Sequence, residues 1–378
     1  MLVVEMFELL KLRDRDALLT KDGIIFRVYG YIHPSGAHVC DPEYASPTIF
    51  RSTNPRARRG KDVPLYYKFF ADEGIKLILN KFPQYTIFYE PLQKCLVGVN
   101  ENNKLEIRKP DVGLQQLIAK KANDVLLKAL HDLLARVSSQ SGLTEKDFGV
   151  FGSLLHNFYH PKFSDLDFIV YGKENLCKLC DALGTLFRED TSLENEFDHM
   201  TAVEAKDWKF VNYSLKEYLW HQRRKMIYAY FDSKDAGRVV KVEFEPVKDW
   251  SENTNEYNPF KRVFHMGWIK AVAEITDDKD APFIPSIYQI EVKDTLEGPK
   301  VDGIKQIFSY LEEFRMQAKQ GEHVLVEGNL EKVVSGTNIF HQITLSYGPR
   351  YYEQTLKVIQ KSESLNKNLK MLLNSIRI

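Results

Sequence analysis

The chain is poor in cysteine: four residues in 378, at Cys40, Cys95, Cys177 and Cys180. Only the last two lie close together, which argues against the disulfide framework of a small secreted protein and sets a reduced, cytoplasmic protein as the expectation. Net charge is also missing, with 52 Lys and Arg against 52 Asp and Glu. No long-range field draws nucleic acid to the whole molecule, so any such binding must use a local basic patch. No run of about 18 apolar residues occurs, and no membrane span or membrane partner is expected. The opening MLVVEMFELLKLRDRD lacks the cationic start, apolar core and small-residue cleavage site of a signal peptide. Internal repeats and low-complexity tracts are absent.

What is present is ordinary globular material: 44% hydrophobic residues, enough to argue against wholesale disorder. The length suits two or three domains. Residues 1–110 read as a small α+β module. It contains the strand-like GIIFRVYGYIHP, a Pro-Ser-Gly turn, the partner strand AHVCDPEYA and a basic loop RSTNPRARRGK. The helix ADEGIKLILNKF and the strands QYTIFYEPL and QKCLVGV follow. Residues 111–275 form a central block. It opens on one helix over 111–138, continues through the strands DFGVF and SDLDFIVYG and the helix KENLCKLCDALGTLF, and ends near a hairpin of MIYAYFD and RVVKVEFEPV. Residues 284–350 look β-rich and barrel-like, with one helical or mixed stretch in GIKQIFSYLEEFRMQAKQG. From Tyr351 to 378, apolar residues including Leu356, Ile359, Leu365 and Leu369 predict an amphipathic C-terminal helix.

The chemistry concentrates in FGSLLHNFYHPKFSDLDF, residues 151–168. On a strand, residues two apart project to one side, so Asp165 and Asp167 point together while Leu166 and Phe168 face the core. Two adjacent carboxylates repel unless a cation lies between them, and hard oxygen ligands select Mg²⁺ or Mn²⁺. Gly152 permits a tight turn and close backbone approach, and Ser153 opens a helical turn whose free N–H groups favour an anion. The pair of features suits a nucleoside triphosphate held between a phosphate turn and a metal pair. A third carboxylate is expected in VVKVEFEPV, where Glu243 and Glu245 share one face. Glu243 is preferred because it lies deeper in the strand and Pro246 follows Glu245 directly.

This stretch resembles the signature of the DNA polymerase β-type nucleotidyltransferase superfamily: apolar-Gly-Ser, about ten residues, then Asp-x-Asp between apolar residues. The superfamily's third carboxylate commonly appears as acid-apolar-apolar-Pro, matched here by Glu243-Phe244-Glu245-Pro246 with Glu for Asp and a second Glu inside. A narrower resemblance, carried by LRDRDALLTKDGIIFRVYGYIHP, GSLL…SDLDFIVYG and SYLEEFRMQAKQGEHVLVEGNLEKV, is to an archaeal family of predicted nucleotidyltransferases. It implies a multidomain α+β protein whose centre is a nucleotidyltransferase-like mixed sheet with helices. The superfamily resemblance implies transfer of an NMP from an NTP to an acceptor hydroxyl, and the narrower one supplies no substrate. Asp165, Asp167 and Glu243 would hold metal, and Gly152 and Ser153 would hold the phosphates.

Other residues carry weaker signals. Arg223, Arg224 and Lys225 precede the glutamate strand and are candidates to hold the nucleotide's phosphates, against a solvated helix face. Arg51, Arg56, Arg58, Arg59 and Lys61, with Tyr66 and Tyr67 nearby, fit a nucleic-acid backbone or a plain surface loop. Cys177 and Cys180 form one CxxC, short of the four ligands of a structural zinc site. His156, His160 and His221 lack partners at ligand spacing and read as structural or surface residues. The acceptor is open: an RNA 3′ end, a small molecule or a protein side chain. The alternative of another class is a non-catalytic nucleotide or RNA sensor on the same fold. The sequence leaves oligomeric state undetermined.

Overall fold

The computed structural model describes residues 11–60, 65–198 and 210–359. It is a mixed α+β structure with three sheets. Lys61 and the tail beyond residue 359 lie outside the described residues. Among the described residues, no helix is long and apolar enough to cross a membrane.

The central sheet has five strands in the order Leu193–Asn195, Tyr228–Ser233, Arg238–Val247, Leu166–Tyr171 and Phe148–Val150. The strands bearing the aspartates and the glutamates run parallel, and the other pairings are antiparallel. Alternation decides its two faces. Leu166, Phe168, Val170, Val240, Val242 and Phe244 are buried against the helices Val125–Ser141 and Lys173–Glu189. Each such side chain contributes roughly 1.5–3 kcal/mol on burial. A slip of one residue would turn the carboxylates into that core, so the apolar face fixes the register and holds Asp165 and Asp167 on the other side. The expected single helix over 111–138 is two, Pro110–Ala119 and Val125–Ser141. Asp124 breaks it by accepting hydrogen bonds from the backbone N–H groups of Leu126 and Leu127 as an N-cap.

The N-terminal module is an eight-stranded sheet in which Ala37–Ala45 pairs with Ile24–Val28, Tyr66–Lys68 and Lys94–Asn100. The C-terminal part is a ring. Arg262–Asp280 pairs with both Ser286–Glu297 and His323–Ser335. Ile304–Ser309 pairs with Ser286–Glu297 and, in parallel, with Asn338–Leu345, which closes back on His323–Ser335. Two expectations change here. The long strand Arg262–Asp280 begins within the stretch read as part of the central block, yet its partners are ring strands. Residues 355–358 form a strand on the ring edge, pairing with His323–Ser335, where a helix was expected. Thr355, Leu356 and Val358 are buried there, and edge pairing satisfies their backbone as a helix would.

The face of the central sheet opposite its helices is shared. Its upper half is covered: Arg13 lies over the Tyr171 ring at 3.6 Å, and the Lys248 N–H donates to the Tyr31 hydroxyl at 2.7 Å. Glu245, 4% exposed, accepts hydrogen bonds from Arg15 of the N-terminal module (2.8 Å) and from Arg315 of the ring. Arg15 also donates to Glu312 at 2.7 Å. Arg15 has a left-handed backbone, φ 72°, a strained conformation for a side chain of this size that the ion cluster over-determines.

Burial alone would raise the Glu245 pKa, but Arg315 and Arg15 outweigh it and hold the carboxyl below the usual glutamate range. Its stabilisation is therefore present above the ordinary glutamate pKa and is lost as pH falls through the depressed value. Glu245→Gln is expected to lower the unfolding free energy at pH 7 by about 3–5 kcal/mol, because it leaves the buried Arg315 guanidinium without its paired carboxylate and removes one of those that hold Arg15. Urea denaturation checks this, and the gap to wild type should narrow as the solution is acidified.

Candidate functional site

The lower half of that face is open, and the motif residues gather there. Asp167 stands directly beside Glu243 across the parallel pair, and Glu243 stands beside Tyr228 on the next strand. Asp165 lies at the exposed mouth, Asp167 is half-buried beneath it, and the Glu243 side chain is 25% exposed. Glu245, on the same face two residues along, is consumed by its arginines. Glu243 is thus the glutamate of this strand left beside the aspartates.

Gly152 is required by geometry. Its φ is +59°, and a Cβ there would stand 2.9 Å from Asp167 Oδ2. The Gly-Ser turn is therefore pressed against the carboxylate. The helix that follows is a single turn, Gly152–Leu155, too short to supply much macrodipole. An anion would be held by local N–H groups and by the Ser153 hydroxyl, which is buried and donates to Ser164 at 3.4 Å.

Two cations belong to this site that the sequence reading passed over. Lys241 is hydrogen-bonded to Glu243 and lies 3.5 Å from Glu196. Its burial would lower its pKa, but Glu243 and Glu196 hold it above the ordinary lysine value. Period-two spacing from Glu243 was a usable signal for it. Arg238 donates to the Ser164 carbonyl at 2.5 Å and so braces the residue before Asp165. The expected phosphate ligands 223–225 are engaged elsewhere. Arg223 pairs with Asp198 (2.6 Å), Arg224 with Glu322 (2.6 Å), and buried Lys225 donates to the Glu313 carbonyl (2.6 Å). The last two fasten the central block to the ring, and sequence proximity to the glutamate strand gave no hint of that.

The basic segment comes close to the site. The Gly60 N–H donates to the Phe158 carbonyl at 3.2 Å, just beyond the Gly-Ser turn. Tyr66 packs on Phe158, ring centroids 5.3 Å apart, so this tyrosine is a wall rather than a free stacking platform. His156 is buried, and burial with Arg108 nearby lowers its pKa to about 3, which makes it neutral packing. His221 is buried between the Glu217 carbonyl and the Val358 N–H. The His160 ring accepts from the Lys162 N–H. Cys177 and Cys180 are free thiols, the latter directed at the Lys225 carbonyl.

Burial first, then Glu243 and Asp165, raise Asp167 to about 8, and burial chiefly raises Asp165 too. Among the described residues, no three His, Cys, Asp or Glu side chains stand ready-grouped around a metal position. Glu243 is turned to Lys241. The donor chemistry still fits a hard divalent cation: carboxylate oxygens from Asp165, Asp167 and Glu243, crowded and short of positive charge.

The chain is 26% identical over 333 residues to an uncharacterized protein of Methanocaldococcus jannaschii, covering 86% of this chain and 92% of that protein. No family model and no solved structure matches it.

The raised Asp167 has a measurable consequence. An unfolded chain releases this proton near the ordinary aspartate value, whereas the folded chain keeps it to about 8, so the group's contribution to stability falls as pH rises across that interval. Asp167→Asn should therefore be more stable than wild type above pH 8, by on the order of 1–3 kcal/mol, and should lose the advantage in acid. Urea midpoints measured on both sides of the interval check the sign.

Proposed function

We propose that the protein transfers a nucleoside monophosphate from an NTP to an acceptor hydroxyl. The acceptor hydroxyl gives up its proton to solvent and its oxygen bonds to the α-phosphorus, while the α–β phosphoanhydride bond breaks and pyrophosphate leaves with the electron pair. The observation that carries this reading is the convergence of Asp165, Asp167 and Glu243 on an open sheet face against the Gly152–Ser153 turn. Mg²⁺ or Mn²⁺ held by these carboxylates would neutralise phosphate charge and lower the pKa of the acceptor hydroxyl. The chain's own groups do the rest. The backbone around Gly152 and the Ser153 hydroxyl bind phosphate oxygens, and Lys241 balances Glu243 before the ligand arrives.

An RNA end as acceptor is supported by the basic segment that abuts the site turn and by the five-stranded ring, an architecture shared with oligonucleotide-binding barrels. A small-molecule hydroxyl or a protein side chain would use the same site residues. One observation favours a second reading, a nucleotide or RNA sensor without turnover: Lys241 occupies Glu243, and no ready-made metal set stands in the described residues.

Purified protein given each labelled NTP with Mg²⁺, with and without RNA, separates these readings. Label joined to an acceptor and free pyrophosphate are expected, with Asp165→Asn/Asp167→Asn and Glu243→Gln each losing at least about 100-fold. Incorporation that survives the double aspartate change would sink the proposal, and NTP binding without pyrophosphate release would favour the sensor. An RNA acceptor should show affinity that falls steeply with salt.

A further inference from the structure

We propose that the N-terminal module completes the site by supplying Lys68 as the lysine that binds the polyphosphate of a metal-complexed nucleotide. This rests on the nucleotide reading of the carboxylate face.

The placement comes from strand pairing. Lys68 ends the strand Tyr66–Lys68 and stands directly opposite Tyr44. Opposite residues of an antiparallel pair project to the same side. The Tyr44 hydroxyl lies 3.7 Å from the point where a Cβ on Gly152 would stand, and Asp167 Oδ2 lies 2.9 Å from that same point. Tyr44, the glycine turn and Asp167 thus meet at one spot, and Lys68 projects from the neighbouring strand to the same side as Tyr44. Its positive charge favours the ionised form of Asp167 and also of Glu43, Asp41 and Glu312.

The chemistry narrows the ligand. Among the described residues, the Lys68 ammonium makes no direct hydrogen bond or ion pair, although its side chain is half-buried. Lys241 and Arg238, the other cations at the site, already have partners. A compact ammonium with three rotatable donors suits phosphate oxygens. Asp165, Asp167 and Glu243 beside the turn give a divalent cation oxygen ligands, so the fitting ligand is a polyphosphate that brings its own divalent cation. Gly152 and Ser153 would hold it from the turn, and Lys68 from the opposite wall.

The plain structural alternative is that Lys68 only offsets the acids around it. The two roles predict different results. The full chain is titrated with Mn²⁺ alone and with Mg²⁺–tripolyphosphate, for wild type, Lys68→Ala, Lys68→Gln and Lys68→Arg, with melting temperatures as folding controls. Wild type should bind tripolyphosphate, both neutral variants should bind it at least about tenfold more weakly, and Lys68→Arg should recover most of the affinity. Mn²⁺ affinity should be unchanged or tighter, because a neighbouring positive charge is gone. In turnover, KM for NTP should rise more than kcat falls. Equal losses for Mn²⁺ and tripolyphosphate, or none for either, overturn the assignment of Lys68. If wild type binds tripolyphosphate in this Lys68-dependent way yet never turns over an NTP, the transferase reading fails and the polyphosphate site stands.

Discussion

Three bodies of chain meet on one carboxylate. Glu245 leaves the central sheet, is closed off from water, and holds Arg15 from the N-terminal module and Arg315 from the ring. Without it, Arg315 would lose its paired carboxylate in a dry interface and Arg15 would keep only Glu312 and Asp14, a cost several times that of a surface ion pair. The arrangement therefore makes ionisation at this residue one of the charged contacts that set the relative placement of the modules, beside Arg15–Glu312 and Arg224–Glu322. The strained backbone at Arg15 and the second anchor through Glu312 are tolerated for the same reason.

That junction also shapes the site. Glu243 and Glu245 are two apart on one strand and start with equal claims to the aspartates. Docking removes one of them, because the arginines close over the upper half of the face and stop short of Glu243. What remains is a carboxylate cluster in which burial first, and then the neighbouring Glu243 and Asp165, hold the proton on Asp167 up to about 8. Lys241 and, from the N-terminal module, Lys68 offset part of this. A site of this charge balance favours a ligand that carries cations and anions together.

Much of the central sheet was legible because two periodicities are strong there. The alternation in SDLDFIVYG and KVEFEPV fixed which residues face the helices, and the glycine turn was marked by residue type. The break at Asp124 was missed because the apolar spacing of the flanking helices continues nearly in phase across it. The ring's first strand was misplaced because a strand's partners, unlike its alternation, leave no local trace. Residues 355–358 misled for a related reason: Leu356 and Ile359 fit a helical stripe, and edge pairing with His323–Ser335 overrode it.

The sequence by itself determined the side of the sheet to which Asp165, Asp167, Glu243 and Glu245 project, and the need for glycine at 152. Both follow from local backbone geometry and from the burial of alternate residues. The tertiary structure decided which glutamate stays beside the aspartates and that Arg224 and Lys225 serve the ring. It also decided that a lysine some hundred residues upstream of Asp167 acts on it electrostatically. Those outcomes depend on which charged groups meet when separate modules dock, and distance in space between such groups is not written in their spacing along the chain.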